Sequence, residues 1–257
     1  MTDLVAFDTD GTRIAIVAPA LNRLAEDNST PVRTCVARLI GAAMRLARPA
    51  AIDAFWRLIA TDDDVLLETA SVFRLVVYIG QQDPAAVSTL VENMLSSRKE
   101  RVRERAGQLA VLASLEWGGV PEHLTLLLQS EDSAARRGAA GTAARRLPPH
   151  TANTEVAAAT LKTLFLDESE EVRNEAAQVA DALRGEALRP FESVLFALIA
   201  SPSFRQAASR LLMTLESAPD RVNTLALLAA ERFVELSAVD AADTRTGARQ
   251  IQEKSDN

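Results

Sequence analysis

Few residues in this 257-residue chain carry types and spacings that could do chemistry, and they are scattered. Near the start, Asp8-Thr9-Asp10-Gly11-Thr12 follows the apolar run Leu4-Val5-Ala6-Phe7, so two carboxylates stand at the head of a glycine turn. His123 and His150 are the only histidines, with no Cys or carboxylate at metal-ligand spacing from either. Cys35 is the single cysteine, which rules out an internal disulfide and fits a reducing compartment. It follows Val32 by three residues inside a helical pattern, the place of a packing thiol rather than a reactive one. Trp56 and Trp117 also fall at helix positions and read as packing residues. Ser, His and Asp are present, but no spacing marks a nucleophilic triad. No catalytic residue, metal or cofactor is therefore expected from the chemistry-bearing residues. The remaining feature is charge: Arg98, Lys99, Arg101, Arg103 and Arg105 form a basic run, relieved by Glu100 and Glu104, and Arg136, Arg137, Arg145 and Arg146 follow one helix later.

The elements that must position these groups are helical. Hydrophobic residues make up 48% of the chain and aromatics only 4%, so the core is built of Ala, Leu and Val rather than strand-favouring side chains. In DESEEVRNEAAQVADALR (167–184), apolar or small residues fall at 0, +4, +5, +7 and +11 counted from Val172, one face of a helix. The same template fits from Val32, Val65, Val102, Ala135 and Phe204, at steps of 33 to 37 residues up to Val172 and 32 after it. Position +5 is always small: Ala37, Ala70, Gly107, Ala140, Ala177 and Ser209. A small residue there lets neighbouring helices approach.

Breaks in the pattern predict helices over about 12–25, 31–47, 49–60, 64–80, 84–96, 99–116, 121–129, 133–146, 154–166, 169–184, 189–200, 203–216 and 219–237. Thr30 stands as N-cap before Pro31, and Pro49, Pro84, Pro121, Pro190 and Pro219 sit near helix starts, where a missing N–H does no harm. The expected architecture is all-α, a right-handed α-solenoid of about six helical hairpins with a final helix. Residues 1–11 form an N-terminal turn, 12–237 the repeat array and 238–257 a polar, disordered tail. Position +1 is Arg33, Arg103, Arg136, Arg173 and Arg205 in five of six copies. Acids five or six residues earlier, Asp27, Glu131 and Asp167, are expected to cap the turn and pair with Arg33, Arg136 and Arg173.

Three resemblances bear on function. The first is Leu4–Thr12, similar to the opening motif of haloacid-dehalogenase-type phosphatases, which implies Asp8 as nucleophile and Asp10 as acid/base. Arg13 departs from that pattern, and no alternating strands and helices follow to build the parallel sheet the motif needs. Here the segment reads as a turn capping the first helix. The second resemblance is carried by the acid turn, Val-Arg and small-small pattern, which is similar to HEAT-type repeats of the short bacterial kind also seen in phycobilin lyases. More narrowly, LAEDNSTPVRTCVARLI, FWRLIATDDDVLLET and LAAERFVELSAVDAADTRTGA resemble the C-terminal helical-repeat region of bacterial STAND-type signalling NTPases. That resemblance implies a sensor or partner-holding module, here without a GxxxxGK[ST] loop.

The expected function is a non-catalytic protein-interaction or sensor scaffold. An enzyme on the same scaffold, bilin-lyase-like or DNA-glycosylase-like, is the alternative from a different class. The partner expected is a protein. A net charge of −7 disfavours nucleic acid, and no apolar run is long enough for a membrane span. With no secretory signal, the cytoplasm is the expected location. The candidate partner surface is the basic stripe of Arg98, Lys99, Arg101, Arg105, Arg137 and Arg145. In the last helix Val222, Leu225, Ala229, Phe233 and Leu236 form an apolar face, with Leu227, Leu228 and Val234 beyond it, a surface for self-association.

Overall fold

The computed structural model describes residues 5, 7–60, 63–117, 121–148 and 154–238. His150, Asp62, Leu4, Ala6 and the tail from 239 lie outside these. Among the described residues the chain is all-helical, with no strand. The helices are α1 Thr12–Ala25, α2 Thr30–Ala43, α3 Arg48–Ile59, α4 Asp64–Leu67, α5 Ala70–Gly80, α6 Pro84–Leu95, α7 Glu100–Glu116 and α8 Pro121–Gln129. They continue as α9 Ser133–Arg146, α10 Thr154–Leu164, α11 Glu170–Ala176, α12 Val179–Ala182, a 3-10 turn Arg189–Phe191, α13 Glu192–Ala200, α14 Phe204–Ser217 and α15 over 223–238.

Two compact units divide within α9, 1–139 and 140–257. In the first, α1 packs on α2 and α3, α2 on α3, α4 and α5, α5 on α6 and α7, and α7 on α6 and α8. In the second, α10 packs on α11 and α13, while α11, α12 and α13 all meet α14. Helices α2 and α5, and α5 and α7, thus lie against each other. The apolar face of each helix is what they bury. Val36, Leu39, Ile40, Val72, Leu109, Val172, Val179 and Leu211 are all buried.

The small position works unequally. Ala37, Gly107, Ala140 and Ala177 are buried, but Ala70 and Ser209 are exposed. In the second copy the buried face begins one residue off, with Leu66 buried and Val65 exposed, whereas in the sixth Phe204, Ala208 and Leu211 keep the buried face and only Ser209 leaves it. At Gly107 the small residue brings backbones together. A Cβ there would lie 1.9 Å from the Ala135 carbonyl oxygen, and one at Gly138 would lie 1.9 Å from the Glu104 carbonyl oxygen. The α7–α9 crossing therefore depends on reciprocal glycines.

Two expected helices are divided. The stretch 64–80 breaks at Glu68-Thr69, because the Thr69 hydroxyl accepts a bond from Val72 N–H at 3.3 Å and donates to the Leu66 carbonyl at 2.8 Å. A side chain that satisfies these groups ends one helix and caps the next. The stretch 169–184 is interrupted at Ala177-Gln178, whose dihedrals stay helical, and it ends before Gly185 at φ 80°. A positive φ of this kind is the ordinary role of glycine after a helix. Before α2, Ser29 takes the N-cap position and Thr30 is already helical, one residue from expectation. The last helix begins at 223 rather than 219. Asp220 accepts bonds from Leu188 and Arg189 N–H, both 2.9 Å, which hold its carboxyl below the usual range. Cys35 lies in α2 but is exposed, not packed.

Candidate functional site

The turns that follow α1, α3, α6, α8 and α10 form a repeated polar device. Asp27 accepts from Ser29 N–H, Asp63 from Val65, Asp132 from Ala134 and Asp167 from Ser169, at 2.8 to 3.1 Å, and the Ser97 hydroxyl does the same for Lys99 N–H at 3.0 Å. Each side chain closes an Asx-type turn at the following helix start. Sequence spacing pairs Arg33, Arg136 and Arg173 with the acid of their own turn; the ion pairs of Arg33 and Arg103 reach further. Arg33 instead pairs with Asp63, and Arg103 with Asp132 at 2.9 Å, each reaching the turn of the next hairpin. Within its own turn the guanidinium donates to a backbone carbonyl six residues back: Arg103 to Ser97, Arg136 to Ser130 and Arg173 to Asp167. Asp27 and Asp167 each spend one carboxylate oxygen on the turn. Glu131 and Arg205 are exposed.

Asp63 shows the balance of forces. Burial pushes its carboxyl up, but bonds from the Thr30 hydroxyl and Val65 N–H, with the charge of Arg33, outweigh this and leave it below the usual range.

At the N-terminus, Asp8 is buried. Its carboxylate accepts from Gly11 N–H at 3.1 Å and Ile14 N–H at 2.8 Å, so both oxygens are engaged at the start of α1. Asp10 accepts from the Thr12 hydroxyl and Thr12 N–H, which lower its affinity for a proton. Both carboxylates serve the turn around Gly11, held at φ 80°.

One arrangement absent from the sequence reading is a Ser–His–Glu chain. The His123 ring contacts the Ser88 hydroxyl through Nδ1 at 3.0 Å and Glu92 through Nε2 at 2.9 Å. Nearby, buried Trp117 has an indole N–H without a partner. The cavity they line holds about 10 Å³, room for one water and none for a substrate. The chain is thus a polar tie between α6 and α8. No cluster of three or more His, Cys, Asp or Glu among the described residues could hold a metal ion.

Half of the basic stripe is engaged. Lys99 pairs with Glu68 at 3.3 Å, and Arg137 with Glu100 at 2.8 Å and Glu104 at 2.9 Å. Arg105 lies 4.6 Å over the Phe73 ring, and burial, with Arg101 beside it, makes its guanidinium easier to deprotonate than usual. Arg98 and Arg101 are exposed. Arg145, also exposed, belongs to the second unit.

A different basic feature lies between α2 and α5. Ala37, Arg38, Gly41, Met44, Arg45, Ser71, Arg74, Leu75 and Tyr78 line an open groove of about 700 Å³. Arg38, Arg45 and Arg74 are exposed, and no carboxylate is among the described residues that line the groove. Arg45 is steadied by donating to the Asp8 carbonyl, whereas Arg38 and Arg74 make no hydrogen bond or ion pair with any described residue. These side chains recur at +6, +9 and +13 of the template, as Arg38, Gly41 and Arg45 in the first copy and Ser71, Arg74 and Tyr78 in the second. The third copy has Gln108, Val111 and Leu115 there, the last two buried, so the charge stops. Scanning for consecutive basic residues missed this site. Comparing the copies at +6, +9 and +13 would have found it.

On α15, Val222, Leu225 and Ala229 are buried, while Leu227 and Val234 are exposed, with Leu228 and Phe233 each 38% exposed. No helix among the described residues is long and apolar enough to cross a membrane. The chain matches no known protein-family model and no curated protein.

Proposed function

We propose that this chain is a non-catalytic helical-repeat scaffold, its HEAT-like hairpins stacked as a right-handed α-solenoid, which holds an acidic segment of a protein partner in the α2–α5 groove. The stacking part is supported by the like-on-like helix contacts within each unit and by the turn device recurring every 34 to 36 residues at Asp27, Asp63, Ser97, Asp132 and Asp167. The binding part rests on one observation: Arg38 and Arg74 share the groove with Arg45, make no ion pair with any described residue, and have no acid among the described lining residues. Like charges of this kind repel, and an anionic ligand relieves that. The chain is acidic overall, so the site attracts such a segment locally rather than through net charge.

The test is fluorescence anisotropy with Glu-rich and Lys-rich peptide pools over a range of salt. Binding of the Glu-rich pool alone, weakening with salt and abolished by Arg38→Glu with Arg74→Glu, is expected. Equal binding of both pools, or no effect of the double reversal, contradicts the reading. Self-association through Val222–Leu236 belongs to the same scaffold reading, because Leu227 and Val234 are exposed on α15. Leu228→Glu would then lower the sedimentation coefficient at high concentration with little change in melting temperature.

A further inference from the structure

We propose that the α2–α5 groove recognises a phosphate monoester on a partner side chain, so that its ligand is a phosphorylated segment rather than one merely rich in carboxylates. This rests on the acidic-partner reading and narrows it.

The arrangement of charge is the first reason. Arg38, Arg45 and Arg74 line a single groove rather than a long stripe. In an extended segment, side chains on one face recur about every 7 Å, so successive carboxylates spread their charge along the chain. A phosphate monoester gathers nearly two negative charges and three acceptor oxygens at one point. Several guanidiniums lining one groove suit the compact group, because each can offer a fork of two donors to an anion.

A second reason is that two of the three arginines are uncommitted. Arg103 and Arg137 make ion pairs in their turns and helices, whereas Arg38 and Arg74 make none with any described residue. Arg45, tied to the Asp8 carbonyl, is held in place beside them. Ser71 adds a hydroxyl in the first turn of α5, an 11-residue helix whose positive end favours an anion.

The rest of the lining says what carries the phosphate. Ala37, Met44, Leu75 and the ring of Tyr78 give the groove an apolar floor and wall beside the charges. The groove lies open between α2 and α5, whereas small-molecule sites enclose most of their ligand. An apolar side chain next to the phosphorylated residue fits this floor, with the peptide running along the helices.

The experiment uses the full chain and three labelled peptide pools, identical except for a central phosphoserine, glutamate or serine. Inorganic phosphate and phosphatidylserine vesicles serve as competing occupants. The phosphoserine pool is expected to bind about tenfold or more tighter than the glutamate pool. Arg38→Gln and Arg74→Gln should each weaken it several-fold, while Arg101→Gln, an exposed charge outside the groove, leaves it unchanged. Melting curves establish that these exposed substitutions leave the fold intact. Equal binding of phosphoserine and glutamate pools overturns the phosphate assignment and leaves the acidic-partner reading standing. Failure of both acidic pools removes both. Inorganic phosphate that binds as tightly as the phosphoserine pool, or vesicles that displace it, reassigns the groove to a free anion or a lipid surface and overturns the proposal.

Discussion

The α7–α9 and α2–α5 helix pairs both meet around small residues and end in opposite states. Between α7 and α9, Gly107 and Gly138 let the backbones touch, and Arg137, which lies along the contact, is neutralised by Glu100 and Glu104. Between α2 and α5, a Cβ at Gly41 would meet only Leu75 Cδ2 at 3.5 Å, an ordinary contact, and the arginines face an open groove without acids. Small residues therefore do not determine by themselves whether two repeat helices close. At α7–α9 glycine stands on both helices at the crossing, whereas at α2–α5 Ala37, Gly41 and Ser71 border a groove that carries arginines.

The largest effect should come from the closed pair. Gly107→Ala drives a methyl into the Ala135 carbonyl, which is backbone and cannot swing aside. The gain of roughly 1 kcal/mol in helix propensity is outweighed, and a net loss of about 2–3 kcal/mol is expected in chemical denaturation. Unchanged stability would mean the crossing is looser than described. Ala177→Leu, at another buried small position, should cost about 1–3 kcal/mol for the same reason, read as a lower melting temperature.

The turn device comes next. Asp63→Ala removes the cap on Val65 and the partner of largely buried Arg33, costing about 2 kcal/mol. The pH sign follows from Asp63: its folded pKa is depressed, so its contribution is complete above the unfolded value of about 3.9 and is lost as pH falls through the lower folded value. Between wild type and Asp63→Ala, the stability difference should shrink on acidification below about pH 4 and not on going from 7 to 9. A difference independent of acid pH would refute the role given to the charge. The smallest effect belongs to the open pair: Gly41→Ala should be neutral or stabilise by up to about 1 kcal/mol, since the new methyl meets no clash.

Much of the fold was legible because helix periodicity and proline positions act locally. Helix α3, over Arg48–Ile59, and α8, over Pro121–Gln129, lie where the apolar pattern and their leading prolines put them. The break at Thr69 was not legible, since a threonine in an apolar run caps a helix only if the backbone already turns there. The Arg–Asp pairings were misread for a related reason. Spacing along one turn suggested Asp27 for Arg33, but Arg33 pairs with Asp63, on the turn ahead of α4. The basic stripe stood out because its charges are consecutive, yet consecutive residues point around a helix and found partners at Glu68, Glu100, Glu104 and the Phe73 face. Arg38 and Arg74, 36 residues apart in sequence, share a groove only because α2 and α5 pack side by side.

The most direct measurement is an NMR spectrum of the arginine Nε–H groups, recorded with and without the phosphoserine peptide pool. Arg103 and Arg137, bound to carboxylates, should give sharp signals that do not move on addition. Arg38 and Arg74 should be mobile in the free chain, then shift and become ordered in the presence of the peptide. Movement of Arg103 and Arg137 with Arg38 and Arg74 unaffected would contradict the account, because the binding surface would then lie on the closed pair and not in the open groove.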